Sequence, residues 1–116
     1  MGISVLVVDD HAGFRSCARR LLQAQGFDVV GEAADCPSAV ACARELGPEL
    51  ALVDVYLPGA DGFEVSARLA ALEKPPAIVL ISSHDPAELE AMIPPSGARG
   101  FIPKELLSRE TIEALL

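Results

Sequence analysis

The chain has 116 residues, 51% of them apolar and 22% charged, with a formal net charge of −8. That suffices for one domain with one core and is too apolar for a disordered chain. The acidity disfavours gripping a nucleic-acid backbone, no apolar run reaches transmembrane length and no secretory leader opens the chain, so the expected setting is cytoplasmic, with no membrane contact.

Ser4 to Val8 reads as a fully buried strand that runs into the acid pair Asp9-Asp10. Phe14, Cys17, Ala18, Leu21 and Leu22 then recur at helical spacing on one face, and Gly26 ends that helix. Phe27 to Ala33 mixes apolar and charged residues, as an edge strand does. Pro37 opens a second helix with Ala39, Ala43 and Leu46 on one face, stopped by Gly47-Pro48. Leu50 to Val53 is a third strand, ending at Asp54. Asp61-Gly62 introduces a third helix with Val65, Leu69 and Leu72 inward, broken by Pro75-Pro76.

Ala77 to Ile81 is apolar throughout and therefore a central strand. Asp85-Pro86 is a cap followed by proline at the first helical position, and Pro94-Pro95 keeps that fourth helix short. Arg99 to Ile102 is a fifth strand, and Ser108 caps a last helix carrying Ile112, Leu115 and Leu116. Strict strand–helix alternation argues a flavodoxin-like (βα)5 doubly wound parallel sheet, with shortened fourth and fifth helices. The mixed second and fifth strands belong at the edges, which fits the order 2-1-3-4-5.

That order sets the first and third strands side by side. Asp9, Asp10 and Asp54 then converge at their carboxyl ends, where such sheets bind ligands. Three acids in one place repel, and a hard divalent cation with oxygen ligands, Mg²⁺ or Mn²⁺, offsets that cost. The bland alternative is that Asp9-Asp10 cap the first helix, as Asp61 caps the third. Cys17, Cys36 and Cys42 fit no zinc spacing, and Cys17 on the helical stripe reads as core. Arg19-Arg20 reads as a solvated helix face and His11 as a loop residue.

Val8-Asp9-Asp10-His11, Asp54 with Leu57-Pro58-Gly59 and Gly62, Ser82 after the fourth strand and Lys104 after the fifth resemble a bacterial response-regulator receiver domain, over essentially the whole chain and in order. Asp9-Asp10-His11 with Phe14-Arg15, Val30-Gly31-Glu32-Ala33 and Gly97-Ala98-Arg99-Gly100-Phe101 resemble the receivers of regulators with a LuxR-type (NarL-type) helix-turn-helix output.

The resemblance implies that Asp54 accepts a phosphoryl group from a sensor histidine kinase. Asp10 is then a direct Mg²⁺ ligand, Asp9 acts through metal-bound water, and Asp54 and the Tyr56 backbone carbonyl each give an oxygen. Lys104 is implied as the charge-balancing cation, Ser82 as the hydroxyl that meets the phosphoryl group, and Phe101 as the aromatic that follows it. The face built from the fourth helix, fifth strand and last helix would carry the signal, with a homodimer formed on phosphorylation. Tyr56 and His84 flank the reactive centre, at positions that in receivers influence water access.

Glu105 stands where the family often has proline, leaving Ile102-Pro103 as a candidate special bond. A small-molecule phosphohydrolase is disfavoured because Tyr56 occupies the position of its second acid. A pseudo-receiver would lack one of Asp10, Asp54 or Lys104. A flavin module would need a glycine-rich phosphate loop after the first strand. A cobalamin module would need Gly13 one residue later. The expected organisation is a single receiver domain over residues 1–116. DNA contact would then come only through a C-terminal helix-turn-helix domain outside this chain, the alternative being a stand-alone receiver acting through protein contacts.

Overall fold

The computed structural model describes residues 2–57, 61–82 and 97–116. Five strands form one all-parallel sheet: β1 (Ser4–Val8), β2 (Asp28–Ala33), β3 (Leu50–Asp54), β4 (Ala77–Ser82) and β5 (Gly100–Pro103), in the order β2-β1-β3-β4-β5. This is the doubly wound arrangement expected from the sequence. The apolar β1, β3 and β4 are central, and the mixed β2 and β5 lie at the edges. Pro103, which cannot donate to a ladder, is tolerated because β5 is an edge.

The helices α1 (Ala12–Ala24), α2 (Cys36–Leu46), α3 (Gly62–Ala70) and α4 (Arg109–Glu113) cover both faces. Alternation along each strand divides the core in two. Leu6, Val8, Ala51, Val53, Ile78 and Leu80 meet Ala39 and Ala43 of α2 and Val65 and Leu69 of α3. Val5, Val7, Leu52, Val79, Ile81 and Ile102 meet Ala18 and Leu22 of α1 and Ile112 of α4.

Local chemistry fixes where the helices begin and end. Asp35 caps α2, its carboxylate accepting from the Ser38 N–H at 2.9 Å, and Pro37 sits in the first turn. Gly47 closes α2 in the left-handed conformation at φ 56°, which disfavours any residue with a Cβ. Asp61 caps α3 through the Glu64 N–H at 2.8 Å. Ser108 and Thr111 form a reciprocal capping box at the start of α4, which is only five residues long, as the short last helix required.

Several expectations need correction. Cys17 is exposed and Leu21 partly so, because the buried stripe of α1 narrows to Ala18 and Leu22 with Phe14 half-buried beside them. Leu46 is exposed rather than inward. Helix α3 stops before Pro75-Pro76 is reached, where Leu72 turns inward and its N–H bonds the Leu69 carbonyl. Arg19 is half-buried, not solvated: its guanidinium donates to Glu32 and to the Val29 carbonyl. No peptide bond among the described residues is cis, so Ile102-Pro103 is an ordinary trans bond. The fourth helix read from Asp85-Pro86, the Pro94-Pro95 break, His84 and the Pro58-Gly59 turn lie outside the described residues. No helix among the described residues is long and apolar enough to cross a membrane.

Candidate functional site

The sheet register assembles the site. Val8 pairs with Val53, Asp54 with Ile81, and Ser82 with Pro103. The residues that leave the strands at this edge are therefore Asp9, Asp54, Ser82 and Lys104. Asp9 prolongs β1, its N–H bonding the Ala33 carbonyl at 2.9 Å. Beyond Asp54 the Val55 N–H continues the ladder to the Ile81 carbonyl. Lys104 opens a single 3-10 turn, Lys104–Leu106, directly after β5.

Asp9 is 0% exposed and Asp54 nearly as buried. Lys104 Nζ lies 2.6 Å from Asp9 Oδ2 and 3.2 Å from Asp54 Oδ2. The remaining oxygens are tied to the local backbone. Asp9 Oδ1 accepts from the His11 N–H at 2.8 Å, and Asp54 Oδ1 from the Tyr56 N–H at 3.1 Å. Arg15 Nη1 donates to the Asp9 carbonyl at 2.6 Å while its Nε reaches Glu32, so α1 and β2 jointly hold the end of β1.

Electrostatics divides the two buried acids. Burial works to raise the Asp9 carboxyl, yet the Lys104 ammonium and the donors of His11 outweigh it and hold it below the ordinary carboxylate value. Asp54 goes the other way. Burial raises it first and the Asp9 charge adds to that, and the Tyr56 N–H and Lys104 offset them only in part. Burial alone would lower Lys104, but Asp9 and Asp54 together raise it. With Asp10, three carboxylates gather around one ammonium among the described residues, an excess of negative charge.

That excess suits a divalent cation. Ligand atoms of Asp9, Asp10, His11 and Asp54 all lie within 4.8 Å of one another. Asp9 Oδ2 is fully buried, with the Lys104 ammonium 2.6 Å away. A buried carboxylate oxygen with spare acceptor capacity beside two more carboxylates is a hard-oxygen donor set, the kind Mg²⁺ and Mn²⁺ prefer. His11, 71% exposed, stands at the rim with Nδ1 3.2 Å from both Asp9 Oδ1 and Asp10 Oδ1.

Of the residues singled out from sequence, Asp9, Asp10, Asp54 and Lys104 come together directly. Ser82 is fully buried at the end of β4, one residue past the partner of Asp54. Phe101 sits opposite Leu80, half-buried against the α2–α3 core. Tyr56 is at the site through its N–H, and 47% of it is exposed. Two features were missed. One is the Arg15–Glu32–Arg19 network that fastens β1 and β2. The other is Phe14, whose ring lies beneath the Lys104 ammonium, 4.3 Å from ring centroid to Nζ. Helical spacing could mark Phe14 as inward-facing, but not which residue it meets.

The doubly wound parallel sheet thus carries an acid cluster and a lysine at its carboxyl edge, the place where such sheets bind ligands. The family model described as the response regulator receiver domain matches residues 5–116, and the chain belongs to that family. It is a receiver domain of two-component systems, related to transcriptional regulators.

Similar proteins include the transcriptional regulatory protein NarL of Mycobacterium tuberculosis, 36% identical over 98% of this chain and 53% of that protein. The response regulator UvrY of Escherichia coli is 32% identical over 97% of this chain and 52% of that protein. The chain thus spans about half the length of these relatives. Among solved structures, the receiver domain of M. tuberculosis NarL superposes with a TM-score of 0.86 at 32% identity, covering 98% of this chain and 96% of that one. A LuxR-family two-component response regulator from Aurantimonas gives a TM-score of 0.88 at 28% identity, covering 99% and 83%.

Proposed function

We propose that Asp54 is a phosphoacceptor, charged by a sensor histidine kinase, and that its phosphorylation switches an output. The observation that carries this reading is the single ammonium of Lys104 held against both Asp9 and Asp54 at the carboxyl edge of the sheet. A carboxylate raised by its surroundings, with a cation in reach, is suited to nucleophilic work in a pocket that concentrates charge stabilisation. Asp10, Asp9, Asp54 and the Tyr56 carbonyl would hold Mg²⁺ or Mn²⁺, which when bound supplies the charge needed to offset the oxygens of the transferring group.

The chain's own residues do the rest. An Asp54 carboxylate oxygen attacks the phosphorus of the kinase phosphohistidine. A P–O bond forms, the P–N bond breaks, and the imidazole leaves with that electron pair and takes a proton from solvent. The Tyr56 N–H orients Asp54 during attack, and Lys104 neutralises the phosphoryl oxygens. Ser82 then donates its hydroxyl to one of those oxygens, and Phe101 follows, transmitting the change to the face that includes β5 and α4. The added charge is the trigger of a two-state switch.

The chain does this to itself and does not turn over small substrates. Residues 1–116 form one receiver domain, with homodimerisation on phosphorylation. DNA is reached through a helix-turn-helix domain beyond this chain, a reading supported by relatives of roughly twice the length.

The test is incubation with Mg²⁺ and acetyl phosphate, followed by intact mass measurement. A gain of one phosphoryl group, absent in Asp54→Ala, is the expected result. Continued release of phosphate over many turnovers would indicate a hydrolase, and no mass gain a receiver-like binding module.

A further inference from the structure

We infer that Phe14 is a positioning residue for Lys104, holding its ammonium inside the acid pocket for phosphoryl transfer. This deepens the reading of Asp54 as phosphoacceptor and rests on it.

Lysine is a poor residue to leave at a pocket rim. Its four-carbon stem is flexible, its ammonium is strongly hydrated, and it tends to extend toward water. Here the side chain is only 15% exposed. Asp9 and Asp54 hold it from two directions, and the face of the Phe14 ring lies 4.3 Å from Nζ, well inside the ~6 Å reach of a cation–π contact. The ring is itself fixed. It rises from the first turns of α1 and packs against the cluster containing Ala18, Leu22, Leu107 and Ile112.

An aromatic face attracts the ammonium and excludes water without offering an acceptor to compete with a carboxylate or phosphoryl oxygen. Lys104 therefore keeps its N–H donors for the acids and for the incoming group. Charge stabilisation that is already in place at the start of reaction costs no reorganisation. A leucine would fill much of the same space and keep the core packed, but it would let the ammonium escape to solvent.

The test compares Phe14→Leu, which keeps an apolar side chain, with Phe14→Tyr, which restores the π face. Acetyl phosphate with Mg²⁺ supplies the phosphoryl group, and mass spectrometry follows its uptake by the full chain. Phe14→Leu is expected to slow uptake about threefold to tenfold, with Phe14→Tyr returning to within about twofold of the wild type.

A second readout needs no chemistry. The chain has only two lysines, Lys74 and Lys104. In a lysine-labelled NMR spectrum the Lys104 ε-methylene should be displaced upfield by the ring in the wild type and in Phe14→Tyr. It should move back toward the Lys74 signal in Phe14→Leu. An undisplaced Lys104 signal in the wild type, Phe14→Leu uptake at the wild-type rate, or equal slowing of both variants would each overturn the proposal while leaving Asp54 as phosphoacceptor intact. A wild-type chain that takes up no phosphoryl group would overturn both.

Discussion

The Lys104 ammonium lies 3.2 Å from Asp54 Oδ2, so a cation that follows β5 and an acid that ends β3 meet at the carboxyl edge of the sheet, with β4 between their strands. Their removal should have opposite consequences. Lys104→Gln leaves the carboxylates without compensation and is expected to lower stability by about 1–3 kcal/mol, less than the ~3–5 of a fully buried pair because Asp10 and the rim are wet. Asp54 has its carboxyl raised by burial and by Asp9, so the folded state holds its proton more tightly than the unfolded chain. Ionised Asp54 therefore weakens the fold near neutral pH, and Asp54→Asn should raise stability there. Urea denaturation in the presence of a chelator measures both. Added Mg²⁺ should stabilise the wild type more than Asp54→Asn and so narrow that gain.

Gly62 matters through closeness rather than through an unusual dihedral angle. A Cβ there would stand 2.2 Å from the Asp54 carbonyl oxygen and 2.6 Å from the Val55 Cα, where the Gly62 N–H already bonds the Val55 carbonyl at 2.7 Å. Backbone cannot yield as a side-chain tip can. Gly62→Ala is expected to cost about 2–3 kcal/mol and to shift Asp54, seen as loss of phosphoryl uptake even in the folded fraction. Gly13, in α1, is the control. Nothing lies within 4 Å of its Cβ position, and Gly13→Ala should stabilise by about 0.5–1 kcal/mol with uptake unchanged.

Residues whose roles depend on strand ends were the ones legible in the sequence. Apolar runs closed by Asp9, Asp54 and Ser82 announce both the strand and its rim, and strict alternation dictates which rims coincide. Cys17 failed because helical spacing defines an arc wider than the strip the sheet covers. The burial of Ala18 and Leu22 decides where that strip falls. Phe14 above Lys104, and Arg15 beneath Asp9, were invisible for a different reason: each joins elements brought together only by the fold, and no local pattern encodes the partner.

The cap of α2 should give stability a specific pH dependence. Asp35 accepts from the Ser38 hydroxyl and from its N–H, and these hydrogen bonds lower its carboxyl below the ordinary 3.8. A carboxyl depressed in the folded state contributes stability above the unfolded value and loses it as pH falls through the folded one. Asp35→Asn retains a capping oxygen that does not titrate. The wild type should therefore be the more stable at neutral pH, and the difference should shrink as the solution is acidified below 3.8. Denaturation midpoints of the two proteins across that range provide the measurement, and a gap that is independent of pH would refute the cap as its source.

Tyr56 bears on how long a phosphoryl group would persist on Asp54. Its N–H is bonded to Asp54 Oδ1, which ties the residue to that carboxylate, while nearly half of its surface is open to solvent. Hydrolysis requires water to arrive in line with the P–O bond to Asp54. A bulky side chain two residues after Asp54 would narrow that approach, and its phenol is too weak a base to activate the water in exchange. Asparagine would preserve the backbone N–H and open that approach while offering an amide to orient water. Tyr56→Asn is expected to shorten the phosphoryl lifetime by about threefold to tenfold, ~0.7–1.4 kcal/mol in the barrier, with uptake from acetyl phosphate little changed. Tyr56→Phe should keep the wild-type lifetime, because bulk rather than the hydroxyl sets the barrier. Following decay by intact mass after acetyl phosphate is removed separates the two, and a shortened lifetime in Tyr56→Phe would assign the effect to the hydroxyl instead.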